Sequence, residues 1–295
     1  MFVAGHTMGT PEMTPEEAFA FFAGIGCAGT ELVCQEGYRC GVTPALYAQE
    51  RRRLREAARA HGAPIVGLTP YQTDLASFDE ATRMAQTEGL LAAIRLAADL
   101  GAGVVRAYGG KEVPAADRPR AVERLVRSLR EAGKVAADVG VKVAVENHYG
   151  TLTVTAAQTV EVVRAVGMPS LGILYDQANI ETMLGEPWQE ALELQKDYIV
   201  HVHVKDFEFK GGRRASDPAG MVSHMDPAKR AIRSRVIGEG IMPWAVILAA
   251  VAHAGYTGPI SIEYSRRWYP EELPEPEEGI ARCATHLRAI LATFA

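Results

Sequence analysis

The sharpest pattern in the chain is the alternation over Tyr198-Ile-Val-His-Val-His-Val-Lys-Asp206. Read as a β-strand, it turns Val200, Val202 and Val204 to one face and His201, His203 and Lys205 to the other. A strand buried on both faces would be apolar throughout. Here one face carries groups that bind metal, protons or anions, or else it is a solvated edge.

The same reading along the whole chain predicts alternating strands and helices. Phe2–Met8 is a first strand. Thr14-Pro-Glu-Glu starts a helix, with threonine as cap and acids in the first turn, which stops at Gly24. Thr30–Cys34 is a strand, and Thr43-Pro44 is expected to cap a helix running to His61. Strands follow at Ile65–Thr69, Gly103–Tyr108, Val141–Glu146, Leu171–Asp176, Ile199–Lys205 and Gly258–Glu263. Helices are expected at Asp79–Leu100, Arg118–Val139, Thr155–Val166, Trp188–Gln195, Pro243–His253 and Glu277–Phe294. Eight strand–helix units imply a parallel sheet closed into an α/β (β/α)8 TIM barrel, a single domain over residues 1–295, with an open doubly wound sheet as runner-up.

Composition narrows the class. Apolar residues make up 48% and the net charge is −5, which gives no general reason to bind nucleic acid. No run is apolar for long enough to span a membrane, and the N-terminus lacks a charged leader; the expectation is a cytoplasmic protein. Cys27, Cys34, Cys40 and Cys283 match no metal or redox spacing and read as reduced, buried thiols. Gly24-Ile-Gly26-Cys-Ala-Gly29 matches a nucleotide fingerprint, but a helix precedes it and a strand follows, the reverse of what that fingerprint needs. The glycines read as a helix end and a turn.

In a barrel of this kind the site is built at the C-terminal ends of the strands. Four consecutive strands end in Glu146, Asp176, the His201/His203 pair and Glu263. Neighbouring strands lie ~4.8 Å apart, so these groups can converge. Three carboxylates and an imidazole so close call for a cation between them. Oxygen-rich ligation with one imidazole suits Mn²⁺, Mg²⁺ or Co²⁺. Such an ion would act as Lewis acid on a chelated hydroxycarbonyl, with the two glutamates placed to move protons through an enediolate.

The set Val-Ala-Val-Glu146-Asn-His148, Tyr-Asp176-Gln-Ala-Asn179, His201-Val-His203-Val-Lys205-Asp206, Gly238-Glu-Gly240 and Ile-Glu263-Tyr resembles the xylose-isomerase-like sugar isomerase/epimerase superfamily. The resemblance implies one divalent metal, most often Mn²⁺ with Zn²⁺ among the alternatives, held by Glu146, Asp176, His203 and Glu263, and His201 one layer deeper. Alternation alone does not choose between the two histidines. The chain departs from the ketose 3-epimerases at Asn179, Leu152 and Phe209, where those enzymes carry a histidine, a glutamate and an arginine. Lys205-Asp206 looks more like the inosose-dehydratase and general isomerase branch.

Glu146, Glu263, Lys205 and His148 are the candidate catalytic groups. His6, Arg106, Tyr108, Asn179, His201, Asp206 and Trp268 are candidates for contact with substrate, and Arg267 for the pocket wall. The connection Phe207–Arg235 is too long for a turn. Its Lys210, Arg213, Arg214, Lys229, Arg230, Arg233 and Arg235, against Glu208, Asp217 and Asp226, read as a solvated loop or subunit contact, with an anion-binding lid as the alternative. The function expected is isomerisation or epimerisation of a small sugar or polyol-derived keto compound. The alternative is a lyase: inosose-type dehydration or β-elimination from a 3-keto glycoside. An apurinic-site endonuclease or a non-catalytic sugar-binding barrel fits less well. No nucleic acid or membrane partner is expected, and the pattern is compatible with a homo-oligomer.

Overall fold

The computed structural model describes residues 1–183, 185–212 and 230–294. Its elements are β1 (Phe2–His6), α1 (Pro15–Gly24), β2 (Thr30–Cys34), β3 (Gly41–Val42), α2 (Ala48–Ala60), β4 (Ile65–Pro70), α3 (Glu80–Leu100), β5 (Val104–Ala107), α4 (Arg118–Val139), β6 (Lys142–Glu146), α5 (Ala156–Val166), β7 (Leu171–Tyr175), α6 (Gln177–Met183), α7 (Trp188–Gln195), β8 (Ile199–Val204), β9 (Asp206–Phe209), β10 (Ile232–Arg235), α8 (Trp244–His253), β11 (Pro259–Ile262) and α9 (Pro276–Ala292). Eight of the described strands, β1, β2, β4, β5, β6, β7, β8 and β11, pair in parallel, and β1 closes the ring by pairing with both β2 and β11. The chain folds as a (β/α)8 barrel.

Local chemistry sets the element ends. Thr14 and Glu17 form the reciprocal cap of α1, and Thr155 and Gln158 that of α5. Asp79 caps α3, while α3, α4 and α5 stop at Gly101, Gly140 and Gly167, all at positive φ. The strand residues facing the helices, such as Leu68, Val105, Val143 and Ile173, are fully buried in a core shared with Leu90, Ile94, Leu125 and Val163.

Three expectations are corrected here. β1 ends at His6, because residues 7–9 form a 3-10 turn whose Met8 N–H donates to His6 Nδ1 at 3.1 Å. Thr43-Pro44 does not cap α2. Gly41–Val42 is drawn onto β2 first, and the helix begins after Tyr47, whose N–H donates to Glu50 at 2.7 Å. The connection after β8 contains an antiparallel pair, β9 with β10, and Arg233 and Arg235 both pair with Glu208 there. Arg213, Arg214, Asp217, Asp226 and Lys229 lie outside the described residues. Gly24, Gly26 and Gly29 form the α1–β2 connection, with Gly26 at φ 83°.

Candidate metal centre

The barrel geometry brings the four strand-end groups together. Glu146 is the last residue of β6, Asp176 follows β7, His203 sits near the end of β8, and Glu263 follows β11. The Glu263 N–H donates to Val204 O at 2.9 Å, which holds that residue level with the end of β8. One ligand atom from each of the four lies within 4.8 Å of the others. Ligands on opposite sides of an ion at ~2.1 Å would be ~4.2 Å apart, so a small contraction suffices.

Two atoms are aimed into this cluster without a hydrogen bond among the described residues: Glu146 Oε1 and His203 Nδ1. Their separation is 4.0 Å, and His203 Nδ1 lies 3.9 Å from Glu263 Oε2. Unsatisfied polar atoms in a site this deeply buried are costly. A shared cation satisfies both, so the donor set fits a divalent metal.

Charges around the cluster support the same fit. Lys205 Nζ bridges Asp176 Oδ2 at 2.8 Å and Glu263 Oε2 at 2.6 Å. Arg106 Nη1 lies 3.3 Å from Glu146 Oε2, and its guanidinium lies near the rings of both Tyr71, at 4.6 Å, and Tyr108, at 4.3 Å. With Glu31, four carboxylates face two such cations, Arg106 and Lys205. When the histidines are neutral, the excess is two negative charges, which a divalent ion cancels.

The protonation states follow from burial set against these neighbours. Burial opposes charge on His203, but the charge and hydrogen bond of Glu31, aided by Glu263 and Glu146, raise its pKa to about 9. Burial raises Asp176 to about 6 against the pull of Lys205. Burial also works to raise Glu263, yet Lys205 and His203 outweigh it and hold this carboxyl well below the usual range. Burial lowers His6 to about 4, so that ring is neutral at pH 7.

A cavity of about 100 Å³ opens above the cluster. Lys205 and Glu263 form part of its lining, with Arg106, Tyr108, His148 and Trp268 around them. His148 Nδ1 donates to Tyr149 O at 2.8 Å, and its ring meets Tyr108 edge-on, centroids 5.0 Å apart. This leaves Nε2 as the basic nitrogen, and burial lowers its pKa. Asn179 also lines the cavity. Its N–H donates to Asp176 Oδ1 at 2.9 Å, which anchors the start of α6 and leaves Asp176 Oδ2 to the cluster.

Two expected substrate contacts, His6 and His201, lie below the cavity, and a third, Asp206, is engaged by backbone. His6 is buried below the cavity, with Nδ1 taken by Met8 N–H and Nε2 2.9 Å from Thr69 Oγ1. His201 is fully buried one layer down, 3.1 Å from Glu31. Asp206 borders the cavity, but its carboxylate accepts from the N–H groups of Phe207, Gly238, Gly240 and Met242 at 2.9–3.2 Å. The residue keeps its place in the cavity lining, while that carboxylate builds the loop. It also explains Gly240, where a Cβ would stand 2.1 Å from Asp206 Oδ1. Arg267 stacks on Tyr38 at 4.2 Å, outside the cavity lining.

Sequence reasoning missed Glu31, the buried carboxylate on β2 that meets both histidines of β8. Its signal was a lone acid inside the otherwise uncharged strand Thr30–Cys34. It also missed Met8 and Tyr71 in the cavity wall, and the cavity-facing place of Arg230. Arg230 is buried, lies 3.5 Å over the Tyr269 ring and donates to Glu272 at 2.6 Å. Missed as an element was α6, which Asp176 caps.

Comparison with known proteins places the chain. The family model described as "Xylose isomerase-like TIM barrel" matches residues 19–290. The chain belongs to that family. It is similar to an uncharacterised protein of Methanocaldococcus jannaschii, 27% identical over 79% of this chain and 73% of that one. An inosose dehydratase of Lactiplantibacillus plantarum is 32% identical over 84 residues, which span 28% of each chain. Among solved structures, a D-tagatose 3-epimerase-like protein superposes with a TM-score of 0.75 at 21% identity over the full length of both. The IOLI protein with a bound zinc atom does so with a TM-score of 0.78 at 17% identity, over 100% of this chain and 99% of that one. At these identities the two structures speak for the fold.

Proposed function

We propose that this chain is a metal-dependent isomerase or epimerase of a small sugar-derived keto compound. The observation that carries the reading is the pair of unpartnered ligand atoms, Glu146 Oε1 and His203 Nδ1, aimed into a carboxylate-rich cluster beneath the cavity. Glu146, Asp176, His203 and Glu263 would hold one divalent ion, Mn²⁺ first, with Mg²⁺, Co²⁺ or Zn²⁺ able to use the same donors. When bound, that ion supplies Lewis-acid polarisation of the substrate carbonyl and makes the adjacent C–H acidic.

The chain's own groups do the rest. Glu263 is held ionised and reaches the cavity, so it is the group to take a proton from carbon. Glu146, with Oε2 tied to Arg106 and Oε1 free, stands across the cluster; the proton that Glu263 takes is the one it gives back, while His148 Nε2, unprotonated in the neutral ring, is a second base in the cavity lining that accepts a proton from a substrate hydroxyl. Lys205 donates to the substrate oxygen on which negative charge grows, since its Nζ already sits among carboxylate oxygens at the cavity floor. Tyr108 and Trp268 offer aromatic faces to the sugar's C–H side, and burial keeps the Tyr108 hydroxyl protonated.

A lyase reading uses the same first proton transfer. The inosose dehydratase similarity and the Lys205-Asp206 pair favour it, and loss of water from the enolate would then replace reprotonation. The test is incubation of metal-loaded enzyme with a panel of ketoses and keto-cyclitols in D₂O. Deuterium on the carbon beside the carbonyl, with product of the same mass class, supports isomerisation or epimerisation. Loss of water supports the lyase. No exchange across the panel sinks both. Elemental analysis should find about one divalent ion per chain.

A further inference from the structure

A second group of ligand-type side chains, His6, Glu31 and His203, also comes within 4.8 Å. It is not a second metal site in this arrangement. Both nitrogens of His6 are engaged, by Met8 N–H and by Thr69. Glu31 Oε2 faces the Nε2 atoms of both His203, at 2.9 Å, and His201, at 3.1 Å. Glu31 is fully buried, 25 positions along the chain from the nearest expected site residue in sequence, His6.

We propose that Glu31 is a positioning residue for the metal centre: one carboxylate oxygen fixes His203 with its proton on Nε2, so that the Nδ1 lone pair is turned to Glu146 and Glu263. The inference rests on the metal-centre reading above and adds a residue that reading does not need. The geometry leaves a single sense for the bond. A carboxylate oxygen only accepts, so each imidazole Nε2 donates. Nδ1 of His203 is then the nitrogen without a proton in the neutral ring, and it is the one facing the cluster at 3.9–4.0 Å. A metal-binding histidine held from behind by a carboxylate is fixed in rotamer and tautomer and is a more basic ligand.

The surrounding barrel is shaped for this carboxylate. The position opposite Glu31 on β4 is Gly67, where a Cβ would stand 3.3 Å from Glu31 Oε1 and 2.9 Å from Val104 Cγ1. His201 shares the same oxygen and lies 3.4 Å from Ser261 Oγ, so the second histidine braces Glu31 from below. The two-residue spacing on β8 thus gives His203 to the ion and His201 to Glu31.

The test is Mn²⁺ binding by calorimetric titration of purified full-length protein, independent of turnover. Glu31→Leu should weaken binding by roughly 10–100-fold, and Glu31→Gln, which keeps an acceptor but loses the charge, by less. A thermal melt of each metal-free variant reports whether it folds. If Glu31→Leu does not fold, the ¹⁵N shifts of His203 in wild type loaded with diamagnetic Zn²⁺ decide: a protonated Nε2 and a metal-bound Nδ1 support the proposal, and the reverse overturns it. Glu31 variants that bind Mn²⁺ like wild type, while Glu146→Gln weakens it, overturn the role of Glu31 alone. A wild type that binds no divalent ion sinks the metal-centre reading and this proposal together.

Discussion

The two halves of the barrel contribute to the centre in different ways. The C-terminal half, β6 to β11, presents four ligand-type groups at its strand ends, one strand after another. The N-terminal half presents none of them. It supplies Glu31 behind His203, Arg106 beside Glu146, and the His6–Thr69 pair beneath. The difference teaches that a centre of this kind needs two sets of residues under different constraints. Groups that face the cavity must have unsatisfied atoms. Groups that hold them commit a polar atom to a cluster residue, Glu31 Oε2 to His203 and Arg106 Nη1 to Glu146, because a ligand side chain left unbraced in the barrel interior loses a bond worth ~1–3 kcal/mol.

Removing a member of the first set should have the largest effect. Glu263→Gln deletes the carboxylate that reaches the cavity and the partner of Lys205. Solvent-exchange turnover should drop by about 10²–10⁴-fold, the range for a general base, with the far-ultraviolet dichroism unchanged. An exchange rate within tenfold of wild type would remove Glu263 from the proton-transfer step.

Lys205→Met should split two properties that usually fall together. The ammonium bridges Asp176 and Glu263, so it both neutralises and competes for the ligand set. Its removal should lower turnover by ~10²-fold, as for loss of one donor to a developing oxyanion. The same change should tighten Mn²⁺ binding by on the order of tenfold, since a like charge a few ångströms from the ion is gone. Weaker metal binding in Lys205→Met would mean that the lysine supports the ion's site and does not compete for it.

Proton competition sharpens the comparison at a smaller scale. In the metal-free protein His203 titrates at about 9 and Asp176 at about 6, both above their ordinary values. Both must be deprotonated to bind a metal. Apparent Mn²⁺ affinity should therefore rise about tenfold per pH unit from pH 7, level off above about 9, and fall more steeply below about 6. Stability of the metal-free protein should run the other way. A histidine whose folded pKa exceeds its unfolded value of 6.5 stabilises fully below that value, and this contribution is lost as pH rises through about 9. A flat affinity profile between pH 7 and 8 would show that His203 is already neutral without metal.

The difference between the halves also explains what the sequence alone could reveal. The ligand residues stand at strand ends, after runs such as Val-Lys-Val-Ala-Val before Glu146, so both their depth and their neighbours are legible from alternation. Family resemblance then chose His203 over His201, a choice that alternation left open. Glu31 was illegible because a single acid in a five-residue strand has no partner nearby in sequence, and His203 is 172 positions away. Asp206 was illegible in its carboxylate contacts for the converse reason. It sits beside Lys205 in the motif, yet the Gly238–Gly240 turn claims its carboxylate through backbone N–H groups that no side-chain pattern announces. The β9–β10 pair was hidden inside a polar connection, since among its described residues only Phe207 and Ile232 are both apolar and buried.

The smallest expected effect tests how far the supporting set extends. Thr69 Oγ1 lies 2.9 Å from His6 Nε2 and itself donates to Leu32 O, and the His6 ring packs edge-on against His203 with centroids 5.6 Å apart. Thr69→Val keeps the volume and removes the hydroxyl. His6 then holds a buried N–H without an acceptor, which should cost ~1–3 kcal/mol of stability and lower the melting temperature by several degrees. His6 touches no ligand atom through a hydrogen bond, so Mn²⁺ affinity should change by less than about threefold, against the 10–100-fold expected for Glu31→Leu. Comparing the two variants in one titration series locates the boundary between residues that hold the ion's ligands and residues that only hold the barrel. If Thr69→Val weakens Mn²⁺ as much as Glu31→Leu does, the N-terminal half acts on the centre through its packing as a whole, and Glu31 has no privileged place in it.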